Sequence, residues 1–320
     1  MRQSVKLLER TFELRGPEGL GAKPRPELIG PVFTHLHDTL QDAVRMGFLH
    51  SSRSHGRISS CLRAAADVHY IGHSSGSEGV TRLRFEVPTF GSAAGELFGQ
   101  KLLWEGGPQP DQTAFELLGA ALGDVRQRRK ESNRFDPPLL RRIGSYRRML
   151  QRGIVSIGLP DTALAEPGKI DSEAVTAASE LCATTPSSRR VRVAGRLDLM
   201  AARNAVLKLD IKSGIAVTAV WEGDLPVEAL KDYFNRDVVI DGTGVFRPSG
   251  LLLRVDADAI AFASAQDEFF RKVPEAPTTP DYSALVRLRP GEKSPYERIL
   301  GSIPGEETDE EFAAAVETLS

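Results

Sequence analysis

The chain has 320 residues, of which 41% are hydrophobic and 26% charged, a balance that supports real apolar cores and excludes bulk disorder. Forty-one basic against forty-three acidic side chains leave a formal charge of −2, so nucleic acid or an anionic surface can be attracted only by a local patch. Two cysteines, Cys61 and Cys182, are too few for a disulfide framework and lack zinc-site spacing, and no apolar run reaches the length of a membrane span.

The length makes two domains the default expectation. From Pro31 to Phe48, apolar residues recur at Phe33, Leu36, Leu40, Val44 and Phe48, the spacing of one helix face. A short helix over Ile58–Ala66 follows. The period then changes, and Asp67–Ser74 with Val80–Pro88 predict a β-hairpin across a Gly/Ser-rich break. Thr113 with Glu116 forms a capping box ahead of the stripe Phe115, Leu118, Leu122 and Val125. Asp136 before Pro137 starts another helix, with Leu139, Ile143, Tyr146 and Leu150 on its buried side. These elements predict a mixed but mostly helical first domain over residues 1–160.

Residues 161–190 carry Pro167, Pro186 and a Thr-Thr-Pro-Ser-Ser run, which predicts a domain linker. Strand patterns follow at Val191–Leu199, Ala205–Ile211, Ile215–Trp221, Asp237–Phe246 and Leu251–Phe262, with a short helix over Pro226–Phe234. Gly242 and Gly244 suit a bulge or barrel corner in the fourth strand. The order of three strands, a helix and two strands over residues 191–265 predicts a small OB-like β-barrel; an SH3-like or other small barrel is the alternative. The stretch from Gly195-Arg196-Leu197-Asp198 through Asp237-Val238-Val239-Ile240-Asp241-Gly242 to the last strand resembles the OB domains that hold single-stranded nucleic acid or dock proteins.

Residues 266–320 read as an extended arm, with Pro274, Pro277, Pro280, Pro290 and Pro295 ahead of an acidic terminal segment. Thr308 and Glu311 form a capping box, and Phe312, Val316 and Leu319 share one face of the helix that follows. This ending is similar to the acidic terminal segment of some bacterial antitoxins. The resemblance implies capture of a partner protein, a toxin or nuclease, by Ile303, Phe312, Val316 and Leu319. The fold class expected overall is α+β: a mostly helical domain with a hairpin, an OB-like barrel and an extended C-terminal arm.

Gly72-His73-Ser74-Ser75-Gly76 matches the G-x-S-x-G nucleophile elbow. That mechanism needs a helix after the serine and, downstream, an acid and then a histidine. All six histidines, His35, His37, His50, His55, His69 and His73, lie at or before position 73, so the string reads as hairpin turn chemistry. Their crowding does not reproduce metal-ligand spacing, and neither a metal nor another cofactor is expected. From Arg126 to Arg152 there are ten basic residues against Glu131 and Asp136, the strongest charge asymmetry in the chain. Arg141, Arg142, Arg147, Arg148 and Arg152 are its candidate phosphate contacts. On the barrel hairpin, Leu207, Leu209, Ile215 and Val217 are expected inside, leaving Val206, Lys208, Asp210, Ala216, Thr218 and Val220 outside with no aromatic to stack a base. Trp221 and Phe246 are expected to close the barrel core or to contact a protein.

Together these readings point to a cytoplasmic, non-enzymatic interaction or regulatory protein, antitoxin-like or from a defence locus, with no membrane partner. The alternatives are a nucleic-acid-binding protein using the basic 126–152 surface, or an enzyme whose scattered carboxylates form no motif.

Overall fold

The segment Leu7–Arg15 alternates, with Leu8, Arg10, Phe12 and Leu14 on one side and Glu9, Thr11, Glu13 and Arg15 on the other. In the computed structural model it is strand β1 (Leu7–Arg15), the middle of a five-stranded sheet. The structure describes residues 6–16, 20–53, 59–76, 79–98, 107–159, 168–201, 205–211, 215–223 and 226–278. The sheet is completed by β2 (His69–Ser75), β3 (Val80–Pro88), β4 (Ser156–Leu159) and β5 (Gly168–Ile170), in the order β2-β3-β1-β4-β5 with every neighbour antiparallel. On the outer face Glu13 lies opposite Arg82, which donates from Nε to its Oε1 at 2.8 Å. These cross-strand charges keep that face compatible with water.

The inner face is covered by α1 (Pro26–Leu49), α4 (Ala114–Arg126), α5 (Pro137–Ser145) and α7 (Ser172–Thr184), with α2 (Ser60–Ala65), α3 (Phe90–Ala93) and α6 (Arg147–Leu150) as shorter pieces. Leu36, Leu40 and Val44 of α1, Phe115 and Leu118 of α4, and Ile143 of α5 share one core with Phe12, Leu14, Leu83 and Phe85. Phe12 meets Phe115 edge-on at 5.6 Å between ring centroids, a geometry that ring quadrupoles favour. Both expected caps form: Thr113 and Glu116 close a reciprocal box at the start of α4, and Asp136 accepts from the Leu139 N–H at the start of α5.

Two expectations are corrected here. The first lobe is built on a five-stranded sheet and is not mostly helical. The stretch 161–190 contains β5 and α7, whose Ala174, Val175, Ala177, Ala178 and Leu181 are buried. Small alanines carry little hydrophobic signal in the sequence, yet they allow helices to approach closely and pack.

The second half closes a barrel from β6 (Arg189–Ala201), β7 (Val206–Asp210), β8 (Ala216–Trp221), β9 (Asp237–Phe246) and β10 (Leu252–Phe262). The strand order is β10-β8-β7-β6-β9; β8 runs parallel to β10 and every other neighbouring pair is antiparallel. Every strand edge is thereby paired, which removes the usual template for aggregation. A Cβ at Gly242 would collide with the backbone of Asp256 and Ala257, beside the register shift between Ala257 and Ala259, so glycine is required at this bulge. A 3-10 helix over Val227–Tyr233 bridges β8 and β9. Val193, Leu207, Leu209, Val217, Trp221, Ile240, Phe246 and Val255 fill the barrel interior.

The chain divides into two units, Met1–Thr278 and Thr279–Ser320. Within the first, the sheet lobe and the barrel share apolar material, because Val245 and Leu253 of the barrel belong to the core of the sheet lobe. The second unit lies outside the described residues, and with it Ile303, Phe312, Val316 and Leu319. Among the described residues no helix is long and apolar enough to cross a membrane.

Candidate functional site

The basic run resolves into two populations. Arg126 donates to Asp171 at 2.8 Å and to Glu173 at 2.6 Å, and Arg128 to Glu180 at 2.7 Å, so the N-terminal cap and outer face of α7 neutralise the end of α4. Arg129 and Arg134 both reach Asp124, at 3.1 and 2.9 Å. Arg142 donates from Nε to Asp42 at 3.0 Å and from Nη1 to Asp38 at 3.1 Å, which ties α5 to α1. Burial raises the Asp42 carboxyl above its ordinary pKa, while Arg142 acts against that rise. Arg142, expected as a phosphate contact, is thus engaged by two carboxylates as a structural clamp.

The second population is Arg141, Arg147, Arg148 and Arg152, all exposed and none ion-paired among the described residues. Tyr146 and Gln151 keep right-handed helical dihedrals, so α5, α6 and the turn after them follow one helical path. Arg141 and Arg148, seven residues apart, and Arg152, four further on, fall on the same side of that path, while Arg147 is exposed roughly a quarter-turn or more away from them. The opposite side holds Leu139, Ile143, Tyr146 and Met149, all buried. This helical segment therefore presents three guanidinium groups on one face and a fourth, Arg147, beside it, none neutralised among the described residues and each with the fork geometry that suits phosphate oxygens.

Comparison with protein-family models, with curated proteins and with solved structures finds no match.

The G-x-S-x-G string lies in β2, with Ser74 opposite Arg82 in the ladder to β3 and the bulge between Tyr70 and Gly72 just before it. Ser74 is a strand residue, and no helix follows to present its hydroxyl as an elbow would. The neighbouring His73 accepts or donates at Nδ1 with the Tyr70 hydroxyl at 2.9 Å. His35 meets the Pro31 carbonyl at 3.1 Å, His37 meets Gln41 at 2.8 Å and His69 meets Asp67 at 3.1 Å. His55 lies outside the described residues. Among the described residues no group of three His, Cys, Asp or Glu side chains is placed to hold a metal ion.

His50 differs from the other histidines in its burial. It ends α1 in the left-handed region, with φ of 55°, and is held where the sheet lobe meets the barrel. Burial first, and then the positive charges of Lys208, Arg254 and Arg247, lower its pKa to about 4.

The barrel hairpin agrees with the sequence only in part. Leu207, Leu209 and Val217 are interior, but Ile215, which precedes β8, is 53% exposed, and Val206, expected outside, is buried. Trp221 and Phe246 sit in the barrel core. Exposed aromatic side chains occur elsewhere on the barrel, at Phe234, Phe262 and Phe269. The division of the basic run was not legible beforehand, because its neutralising acids lie on α1 and α7, far away in sequence.

Proposed function

We propose that this protein acts by binding, and that its described body holds nucleic acid through phosphate contacts on the helical surface formed by Arg141, Arg147, Arg148 and Arg152. The observation that carries the reading is the selective pairing of the basic run: Arg126, Arg128, Arg129, Arg134 and Arg142 are consumed by Asp38, Asp42, Asp124, Asp171, Glu173 and Glu180, while these four arginines remain exposed and unpaired among the described residues. Fixed arginines on a helical surface supply register and attraction without reading sequence.

The barrel supports the same reading at a coarser level. Counted from its own first strand, its order is 1-2-3-5-4 with the third and fifth strands parallel, as in an OB-like barrel, an architecture used for oligonucleotides and oligosaccharides. Its β7–β8 face carries no stacking aromatic, so phosphate contact on the arginine face is favoured over base stacking there.

Fluorescence anisotropy with labelled single-stranded and duplex oligonucleotides at low salt tests the reading. The fourfold variant Arg141→Ala, Arg147→Ala, Arg148→Ala, Arg152→Ala is expected to lose binding while keeping the wild-type melting temperature. Full binding by that variant, or none by the wild type, rejects it.

A second reading rests on the segment 304–320, where six acidic residues from Glu306 to Glu317 surround Phe312, Val316 and Leu319 without one Lys or Arg. This composition favours helix-in-groove capture of a basic partner protein, in the manner of an antitoxin from a defence locus. Deleting 304–320 is then expected to abolish capture of that partner and to leave oligonucleotide binding and melting unchanged, which separates the two readings.

A further inference from the structure

The turn between β9 and β10 is fastened to the segment that follows the barrel. Leu251 bridges Glu275, and Ala276 donates its N–H to the Gly250 carbonyl at 2.9 Å. Gly250 has φ of +85°, and a Cβ there would stand 2.5 Å from the Ala276 carbonyl oxygen, so only glycine permits this approach. The fastening builds one wall of a cleft of about 680 Å³, which is bounded on the other side by the start of β8 and bordered by Asn133 of the sheet lobe. That volume lies within the range of small-molecule sites, roughly 300–1,000 Å³.

The cleft has two chemical halves. Ile215, Val217 and Leu252 line it with apolar surface, and Ile215 is 53% exposed, a large aliphatic side chain left open to solvent. The other half carries Arg247, Arg271 and Lys272 against a single carboxylate, Glu275. Arg271 is already engaged by Asp237 and Glu268, each at 3.0 Å. Lys272 lies over the Phe269 ring, 4.0 Å from its centroid.

Arg247 differs from every other arginine described so far. It is half-buried, its Nε is buried without a hydrogen-bond partner, and no carboxylate among the described residues pairs with it. The Ser249 hydroxyl, two residues on, is likewise buried without a partner. Burial lowers the Arg247 pKa, and Glu131 opposes that only through a longer-range attraction. A desolvated cation with an unused donor is costly, and an anion delivered to it recovers that cost.

We propose that this cleft binds an amphipathic anion, an organic carboxylate or phosphate ester whose apolar or aromatic body lies on Ile215, Val217 and Leu252 and whose acid group accepts hydrogen bonds from Arg247. Lys272 supplies the second positive charge at the rim. The site is separate from the arginine face, and it does not depend on nucleic-acid binding.

Isothermal titration of the full chain with 1-naphthyl phosphate, 1-naphthoate, 1-naphthylmethanol and inorganic phosphate tests the proposal. At least one naphthyl acid is expected to bind about tenfold or more tightly than the alcohol and than inorganic phosphate, the margin of a charge-assisted hydrogen bond. The tighter of the two acids identifies the head group. Arg247→Met is expected to remove that advantage, and Ile215→Glu to abolish binding by placing a negative charge on the apolar half. Ile215 is exposed, so its variant tests the cleft even if Arg247→Met fails to fold. Equal binding of acid and alcohol, unchanged binding by Ile215→Glu, or no binding of any naphthyl compound overturns the proposal.

Discussion

Arg254 of β10 donates from Nη1 to Oδ2 of Asp136, the N-cap of α5, at 3.2 Å, and both side chains are almost completely buried, at 5% and 0% exposure. The pair joins the barrel to the sheet lobe. Asp136 also accepts from the Ser52 N–H, from the Ser52 hydroxyl and from the Leu139 N–H, and Arg254 also reaches the His50 carbonyl and Asp256. Such a node is a poor net source of stability relative to apolar packing, but removing one partner strands a charge.

Asp136→Ala is therefore expected to destabilise the protein by about 3–5 kcal/mol, since it leaves Arg254 buried without its lobe-joining carboxylate and uncaps α5. Urea unfolding followed by circular dichroism and by fluorescence measures this. The wild-type transitions by the two probes are expected to coincide, because a shared core and a buried ion pair couple the lobes. A loss below 1 kcal/mol, by the order of an exposed pair, contradicts the account.

Acid sensitivity follows from His50. Its folded pKa of about 4 lies below the ordinary value of 6.5, so between those limits the unfolded chain binds a proton that the native state does not. Stability then rises with pH across that window: the contribution is fully present above about pH 6.5 and is lost as pH falls towards 4, by roughly 3 kcal/mol in all. His50→Gln is expected to flatten this part of the stability curve. Parallel curves for variant and wild type between pH 4 and 6.5 would refute the assignment.

Much of this architecture was legible in the sequence, for reasons that the particular elements make plain. The five barrel strands, the hairpin of β2 and β3, and the starts of α4 and α5 all carry local signals: period-two alternation, turn residues, a capping box, an Asp-Pro start. β1 gives no clear local signal because Arg10 interrupts its apolar side. The carboxylate that pairs with that arginine is Glu116, which accepts from it at 3.0 and 2.8 Å and lies more than a hundred residues away. β5 has three residues, too few to show a period, and α7 buries alanines. The candidate site suffered in the same way. A charge run is visible in sequence, but which arginines are spent on Asp38, Asp42 or Glu180 is a tertiary fact, as is the cleft that the pairing of Leu251 with Glu275 creates.

Arg142 and Arg141 are adjacent in sequence and opposite in consequence. Arg142→Ala leaves Asp42 buried with only the longer contact to Arg45, at 3.3 Å, and is expected to cost about 1–2 kcal/mol with little effect on oligonucleotide affinity. Arg141→Ala is expected to leave stability within about 0.5 kcal/mol and to weaken binding. Thermal melts and anisotropy on the two single variants check this, and an exchange of the two phenotypes would invert the assignment of roles.

Salt reports how many phosphates are engaged. If Arg141, Arg147, Arg148 and Arg152 each neutralise one, the slope of log affinity against log salt is expected near about −2.8 on a single strand and about −3.6 on a duplex. Arg148→Ala should lessen either slope by about one contact's share. A slope near zero means that phosphates are not what the face holds.

The last prediction concerns the lobes themselves. A linker over 161–190 implies that a cut there frees two independent pieces. The structure instead pairs β5 with β4 and buries Val175, Ala178 and Leu181 in the same core as Phe12 and Leu14, so the chain returns to the sheet lobe before it enters the barrel. The barrel in turn contributes Val245 and Leu253 to that core and Arg254 to Asp136. An engineered protease site within residues 160–167 is therefore expected to yield two fragments that co-elute on size exclusion after cleavage and separate only in denaturant. The cut chain should also melt below the intact one, because restoring the covalent connection removes chain entropy from the unfolded state. Elution of the fragments as two separate folded species under native conditions would show that the shared core does not hold the lobes together, and would restore the picture of two domains joined by a tether.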